Sequence, residues 1–143
     1  MAVKNAYGWS DIDVVLFDGI SVHITNITYE VTQEKSNGYG RGNKPVRRGR
    51  GKKTYDNVAM TIAMPGIIEI KDALKVKYGP GFDLTDIEPF DIPITLDNGS
   101  KVVIDVIKDF EFTKDAGGGG EDDQDIQVEL TGLCSDILFN IDI

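Results

Sequence analysis

The sequence predicts a mainly β protein, an antiparallel β-sandwich or barrel with one flanking α-helix and one long extended loop. Three observations lead there. Apolar residues alternate with polar ones in several short runs, the period of a half-buried strand. Asp18-Gly19 and Asp97-Asn98-Gly99 sit between such runs, where paired turn residues tolerate the positive φ of a tight hairpin. Only one stretch, from Ile67 to Tyr78, spaces its apolar residues by three and four.

In chain order, Tyr7 to Ser10 reads as an opening segment with Trp9 as its anchor, followed by a short strand through Ile12, Val14, Val15, Leu16 and Phe17. Asp18-Gly19 turns it into a second strand that runs to Val31. The apolar positions of that strand change parity between Ile24 and Ile27, which a β-bulge near Thr25-Asn26 would explain. Residues 33–53 then hold five glycines, one proline and eight cations with no apolar period, so they are predicted to be an arm or long loop.

Alternation returns from Tyr55 with Val58, Met60, Ile62 and Met64, and Pro65-Gly66 is expected to end that strand. A helix of about three turns is predicted over Ile67 to Tyr78, stopped by Gly79-Pro80-Gly81. After an irregular stretch, Phe90 to Leu96 reads as a strand whose Pro93 suggests an edge or a strand start. Lys101 to Thr113 is the next strand, with Val102, Ile104, Val106, Phe110 and Phe112 expected on one buried face and Lys108 among them. Residues 115–125 read as a flexible acidic loop. In the last strand Ile126, Val128 and Leu130 are in phase, and Gly132 is expected to bend it so that Leu133, Ile137, Phe139, Ile141 and Ile143 take the opposite parity. The total is about six or seven strands and one helix.

A chain of 143 residues, 41% hydrophobic, is read as one domain spanning 1–143, able to bury a core without disulfides or metals. No apolar run approaches a membrane-spanning length, and no export signal is visible, so the expectation is a protein with no membrane partner. Its single cysteine fits a reducing cytoplasm.

Net charge is −9, but it is unevenly placed. Lys35, Arg41, Lys44, Arg47, Arg48, Arg50, Lys52 and Lys53 form a window of +8 without an acidic residue. Seven remaining cations against twenty-four carboxylates leave −17 elsewhere. Complementary charges of this kind steer association and fix register, so the arm cations are read as inter-subunit contacts. The same arm also resembles an arginine-glycine nucleic-acid segment, with Tyr39 to stack. The acidic remainder of the chain would oppose that.

No constellation for catalysis, metal binding or a cofactor emerges. His23 is the only histidine and has no partner fixed by any motif, so it is read as a strand residue rather than a general base. Cys134 is read as a small apolar filler. Glu121, Asp122, Asp123 and Asp125 lack the spacing of a calcium loop, and Asp11 and Asp13 are a weak carboxylate pair. Gly38-Tyr39-Gly40-Arg41-Gly42 superficially matches a phosphate loop but is followed by no helix and no lysine-hydroxyl pair. The expectation is a protein that is not an enzyme.

The order of several segments resembles the inner tail-tube proteins of bacteriophages, especially those with contractile tails. These segments are Tyr7-Gly8-Trp9-Ser10-Asp11-Ile12, Tyr29-Glu30 leading into Gln33-Glu34-Lys35, Tyr39-Gly40-Arg41-Gly42-Asn43-Lys44-Pro45-Val46, Arg48-Gly49-Arg50-Gly51-Lys52 with Tyr55, Asp86-Ile87-Glu88-Pro89-Phe90-Asp91-Ile92, and Glu111-Phe112-Thr113. The resemblance implies a tail-tube fold assembling as six-membered rings that stack around an acidic lumen conducting DNA. It further implies that the 33–53 loop reaches neighbouring subunits or the next ring, and that sheath, baseplate and tail-terminator proteins are partners in a virion assembled in a bacterial cytoplasm. The tube of a contractile injection or type VI-like secretion apparatus is an alternative reading, as is a nucleic-acid-binding module using the arm. The run Gly117 to Gly120 and the acids after it depart from the family pattern, which leaves the 115–125 loop facing either a lumen or a sheath.

Overall fold

The computed structural model describes residues 5–16 and 24–141. The proposed Asp18-Gly19 turn, the start of the second strand, His23 and Ile143 lie outside the described residues. Seven strands appear among the described residues: β1 (Ile12–Val14), β2 (Ile24–Tyr39), β3 (Pro45–Ala63), β4 (Phe90–Asp97), β5 (Val102–Phe112), β6 (Gln127–Leu133) and β7 (Asp136–Leu138). One α-helix, α1 (Met64–Tyr78), joins β3 to the rest. The strands form one antiparallel sheet in the order β1-β4-β5-β6-β3-β2, with β7 also paired to β5. The mainly β class with a single helix agrees with the alternation read from the sequence.

β5 links the two halves of the sheet, pairing with β4 along most of its length, with β7 from Val106 to Lys108 and with β6 at Glu111 and Phe112. The inner faces close on a core of Leu16, Ile24, Val58, Met60, Ile62, Ile92, Ile94, Ile107, Phe110, Phe112, Val128, Leu130 and Ile137, under Ile67 and Ile70 of α1. Leu74 and Tyr78 continue that helical stripe, partly buried against the core. Pro65 does not stop β3 and wait for a later helix. It sits in the first turn of α1, where a missing N–H costs nothing and the fixed φ suits the helix. Gly79, at φ 85°, closes the other end with its N–H on the Lys75 carbonyl.

The predicted bulge of β2 is present, as a register shift between Ile24 and Asn26. The face predicted for β5 is half wrong. Val102, at 52% exposure, and half-buried Ile104 and Val106 point outward, whereas Ile107 is fully buried. The phase reverses at Asp109, whose φ is 53°, so that Phe110 and Phe112 do face the core. Asp91 holds this bulge: its carboxylate accepts the Asp109 N–H at 3.0 Å and pairs with Lys108 at 3.2 Å. The Asp109 N–H, opposed by partial desolvation and helped by Lys108, keeps Asp91 below the ordinary carboxylate pKa.

Gly132 likewise does not bend its strand. Val128, Leu130, Gly132 and Cys134 remain on one buried face, and the break falls after Cys134. Leu133 and Phe139, expected in the core, are exposed. Pro93 is interior in strand order, between β1 and β5. Its carbonyl accepts the Val15 N–H just past the end of β1, so the side on which it lacks a donor has no further ladder to interrupt. Trp9 does not anchor the opening segment. It is 47% exposed in a 3-10 turn, and the tie is made by the Tyr7 hydroxyl on the Lys101 carbonyl at 3.1 Å.

Across the core, the Tyr29 hydroxyl donates to Asp105 Oδ2, while Asp105 Oδ1 accepts the Asn140 N–H at 2.8 Å. The ring of Phe139 stacks on Tyr29 with centroids 5.9 Å apart. Burial first, and then the Asp105 carboxylate, push the Tyr29 hydroxyl pKa upward, so it stays a donor. Asp105 is the buried charged residue of the described chain, 7% exposed, and Tyr29→Phe leaves one of its oxygens without a partner. The expected cost is about 1–3 kcal/mol, read as a clear loss in urea midpoint without a change in slope. An unchanged midpoint would show that this bond holds nothing.

Candidate inter-subunit interface

The arm is not a loop. β2 and β3 continue as a regular two-stranded ribbon from the sheet to Tyr39 and Pro45, leaving only residues 40–44 as the tip. β6 pairs with β3 only from Val58 to Ala63, the Tyr55 carbonyl accepts the Cys134 N–H at 3.2 Å, and Val31 and Tyr55 are the last residues of the two strands packed on the core, so from Thr32 and Thr54 outward the ribbon stands free. The eight residues from Thr32 to Tyr39 reach about 25 Å at ~3.3 Å per residue, approaching the width of a small domain. The sequence hid this regularity because a strand advertises itself by one apolar face, and here both faces are wet.

The register sorts the cations. Lys35 opposes Arg50 and Asn37 opposes Arg48, and opposed residues share a face. Arg48 Nε donates to Asn37 Oδ1 at 2.8 Å, which fixes that side chain. The other face pairs Ser36 with Gly49 and Gly38 with Arg47. It is flat because glycine makes it so. A Cβ at Gly38 would stand 3.0 Å from Arg47 Nε, and one at Gly49 would stand 2.6 Å from Ser36 Oγ. Arg41 and Lys44 lie in the tip, and Lys52 and Lys53 nearer the base, where Lys53 opposes Gln33.

All eight cations are exposed, and among the described residues none of them forms an ion pair. The four ion pairs among the described residues tie Lys71, Lys75, Lys77 and Lys108 to carboxylates of the body. The fold thus brings the predicted arm residues together on one projecting element, and leaves their charge unneutralised.

The remaining candidates are quiet. Cys134 is buried, its thiol near the Tyr55 carbonyl, and burial pushes its pKa upward, as befits a filler. Asp11 belongs to the 3-10 turn and accepts the Gly8 N–H, so it does not share a strand face with Asp13. In the acidic loop, Asp123 accepts the Gly120 N–H and Asp125 the Gln127 side-chain amide. Asp115, at the loop's start, is the structural member: it pairs with Lys71 at 3.0 Å and caps the Leu84 N–H at 3.1 Å. Among the described residues no group of histidine, cysteine and acidic side chains is placed to hold a metal ion, and no helix is long and apolar enough to cross a membrane.

What sequence reasoning missed is the outer face at the foot of the arm. Glu30, Asn57, Leu133 and Glu111 form one row across β2, β3, β6 and β5, continuing the pairings Glu30 with Asn57, Val58 with Gly132 and Glu111 with Leu133. The alternating threonines and glutamates were legible as a wet side. The register that aligns the acids was not.

The class these features define is a mainly β, single-sheet protein with one helix and a projecting basic hairpin. No family model matches the chain, and no curated protein matches its sequence. Among solved structures it is similar to a chain from the cryo-EM structure of the anti-feeding prophage cap, described as the cap that terminates the AFP tube. The TM-score is 0.68 at 18% identity, covering 97% of this chain and 93% of that one. That likeness establishes a shared fold over nearly the full length of both chains.

Proposed function

We propose that this chain is a structural, non-enzymatic protein of a phage-type tail tube, which assembles with further copies of itself into rings through the basic ribbon. The observation that carries this reading is the ribbon itself. A two-stranded hairpin alone in water is marginal at best, and this one extends about 25 Å from a body of opposite charge with eight cations that form no ion pair among the described residues. Such an element gains its order and its neutralisation from a neighbour. The acidic body suits a channel wall past which DNA moves without sticking, because fixed negative charge repels phosphates.

Hexameric rings, stacking into a tube, and contacts with sheath, baseplate and terminator proteins in the virion tail complete the proposal. The fold neighbour's description as a tube-terminating cap favours a second form of it, in which the rings close a tube's end instead of building its length. A tube of an injection or secretion apparatus would use the same contacts.

Electron microscopy of the purified protein across a concentration series tests both forms. Stacked tubes are the result expected of an inner-tube subunit, and single rings that do not elongate are expected of a cap. A species that stays monomeric and binds DNA with a steep salt dependence would overturn the proposal in favour of a nucleic-acid module.

A further inference from the structure

We infer that the acidic trough at the foot of the arm, between Glu30, Asp56 and Glu111, is the seat for the arm of a second copy of this chain. The inference rests on the assembly reading above and adds to it the surface that receives the arm. The outer face of β2, β3, β6 and β5 is concave there, with a cavity of about 410 Å³ lined by Thr28, Glu30, Asp56, Asn57, Ala59 and Thr131. Glu111 stands in the same row as Glu30, two strands beyond Asn57. Four strands span about 14 Å, wide enough for the two strands of an incoming ribbon.

Charge complementarity selects the occupant. Asn26, Thr28, Glu30, Asn57, Thr61, Glu111, Glu129 and Thr131 populate the outer rows, and none is basic. Glu30 has one oxygen on the Asn57 amide at 2.7 Å, and Asp56 and Glu111 have no ion pair among the described residues. Opposite them in chemistry, Arg48 and Arg50 lie two residues, about 7 Å, apart on one face of the ribbon, with Lys35 directly across from Arg50. A polyanion is the wrong occupant for a trough of carboxylates. The rival acidic surface, residues 121–125, already commits Asp123 to the Gly120 N–H and Asp125 to the Gln127 side chain.

The arm and its seat are different surfaces of one chain, so the contact is heterologous. Each copy offers one arm and one seat, and satisfaction comes only when a ring closes or a filament grows. A twofold dimer would leave no such progression.

The test exchanges charge across the contact. R48E/R50E reverses the arm and E30K/E111K reverses the seat. Each variant alone is expected to remain folded by circular dichroism and to lose assembly in sedimentation velocity, with the apparent dissociation constant raised about tenfold or more. Mixed in equal amounts, they are expected to assemble again, because the reversed arm then meets the reversed seat and the native arm the native seat. If E30K/E111K unfolds through loss of the Glu30–Asn57 bond, D56K/E111K is the replacement. Normal assembly of the seat variant, or a mixture that stays dispersed, would overturn the inference while leaving assembly by the arm intact. A wild-type protein that never assembles would instead defeat the assembly reading on which it rests.

Discussion

Reversing Arg47, Arg48 and Arg50 to glutamate is expected to abolish ring and tube formation while leaving the melting temperature of the monomer within about 2 °C. The two halves of that result come from two separate facts. The three arginines are exposed on the part of the ribbon that lies beyond Val31 and Tyr55, its last residues packed on the core. Exposed substitutions of this kind usually lie within about 0.5 kcal/mol, and at ~2–4 °C per kcal/mol for a chain of this size little movement in melting follows. Assembly is another matter. Each reversal changes the charge by two, so the arm falls from +8 to +2 and the whole chain moves from −9 to −15. Attraction between ribbon and body turns weak just as self-repulsion between copies rises.

Both Arg47, which lies over Gly38 on the flat face, and the Arg48–Arg50 pair on the other face are included, so neither side of the ribbon retains its cations near the tip of β3. A matched control reverses Lys75, whose partner is Asp72 on the same helix face, and is expected to assemble normally. Intact tubes in the triple variant would remove the arm from the account of assembly. The parent protein should also lose assembly as salt rises, since exposed charges are screened within about 8–10 Å at physiological ionic strength.

Gly132→Ala is expected to be the most damaging single-methyl change in the body. A Cβ there would stand 2.3 Å from Phe110 Cε2 and 2.4 Å from the Glu111 carbonyl oxygen. One of these neighbours is a fully buried ring, packed edge-on against Phe112 with centroids 4.9 Å apart. The other is backbone of β5 at the place where β5 pairs β6. Neither can yield without disturbing a strand pairing or the aromatic cluster. Overpacking of this kind costs about 1–3 kcal/mol, and a backbone contact puts this case at the upper end. A fall of about 10 °C in melting temperature follows from the same per-kcal scale. Phe110→Leu in the same chain removes the ring atoms but not the carbonyl, so the double variant should be less damaged than the sum of the two singles. A Gly132→Ala protein that melts with its parent would mean the strands can part there at no cost.

Much of this fold could be read from the sequence wherever one side of an element is buried. The α1 stripe, the bulge of β2, the Asp97-Asn98-Gly99 turn with Gly99 at φ 87° and the mainly β class all announce themselves through the apolar pattern or through turn chemistry. Failures cluster where that signal is silent or doubled. In β5, valines and isoleucines occupy both faces, so the pattern named Val102, Ile104 and Val106 as core, and only the left-handed Asp109 decides otherwise. Gly132 looked like a bend because glycine more often marks one, yet here it makes room for a phenyl ring. The arm's eight cations were identifiable as a group, but its strands were not, since wet faces leave no period. The trough depends on which residues of four strands lie side by side, and register of that kind is written in backbone pairings rather than in any one segment.

The free-standing ribbon also works as a ruler. Because the last ties to the body are Val31 and Tyr55, residues added on the tip side of Thr32 and Thr54 lengthen the projection by about 3.3 Å each without touching a core contact. Additions that keep the arginines on their present face must come in twos on each strand, since a single extra residue turns every later side chain over. Reach can therefore change in discrete steps of about 7 Å, with the spacing between neighbouring copies set by the length of a segment that the rest of the protein does not need in order to fold.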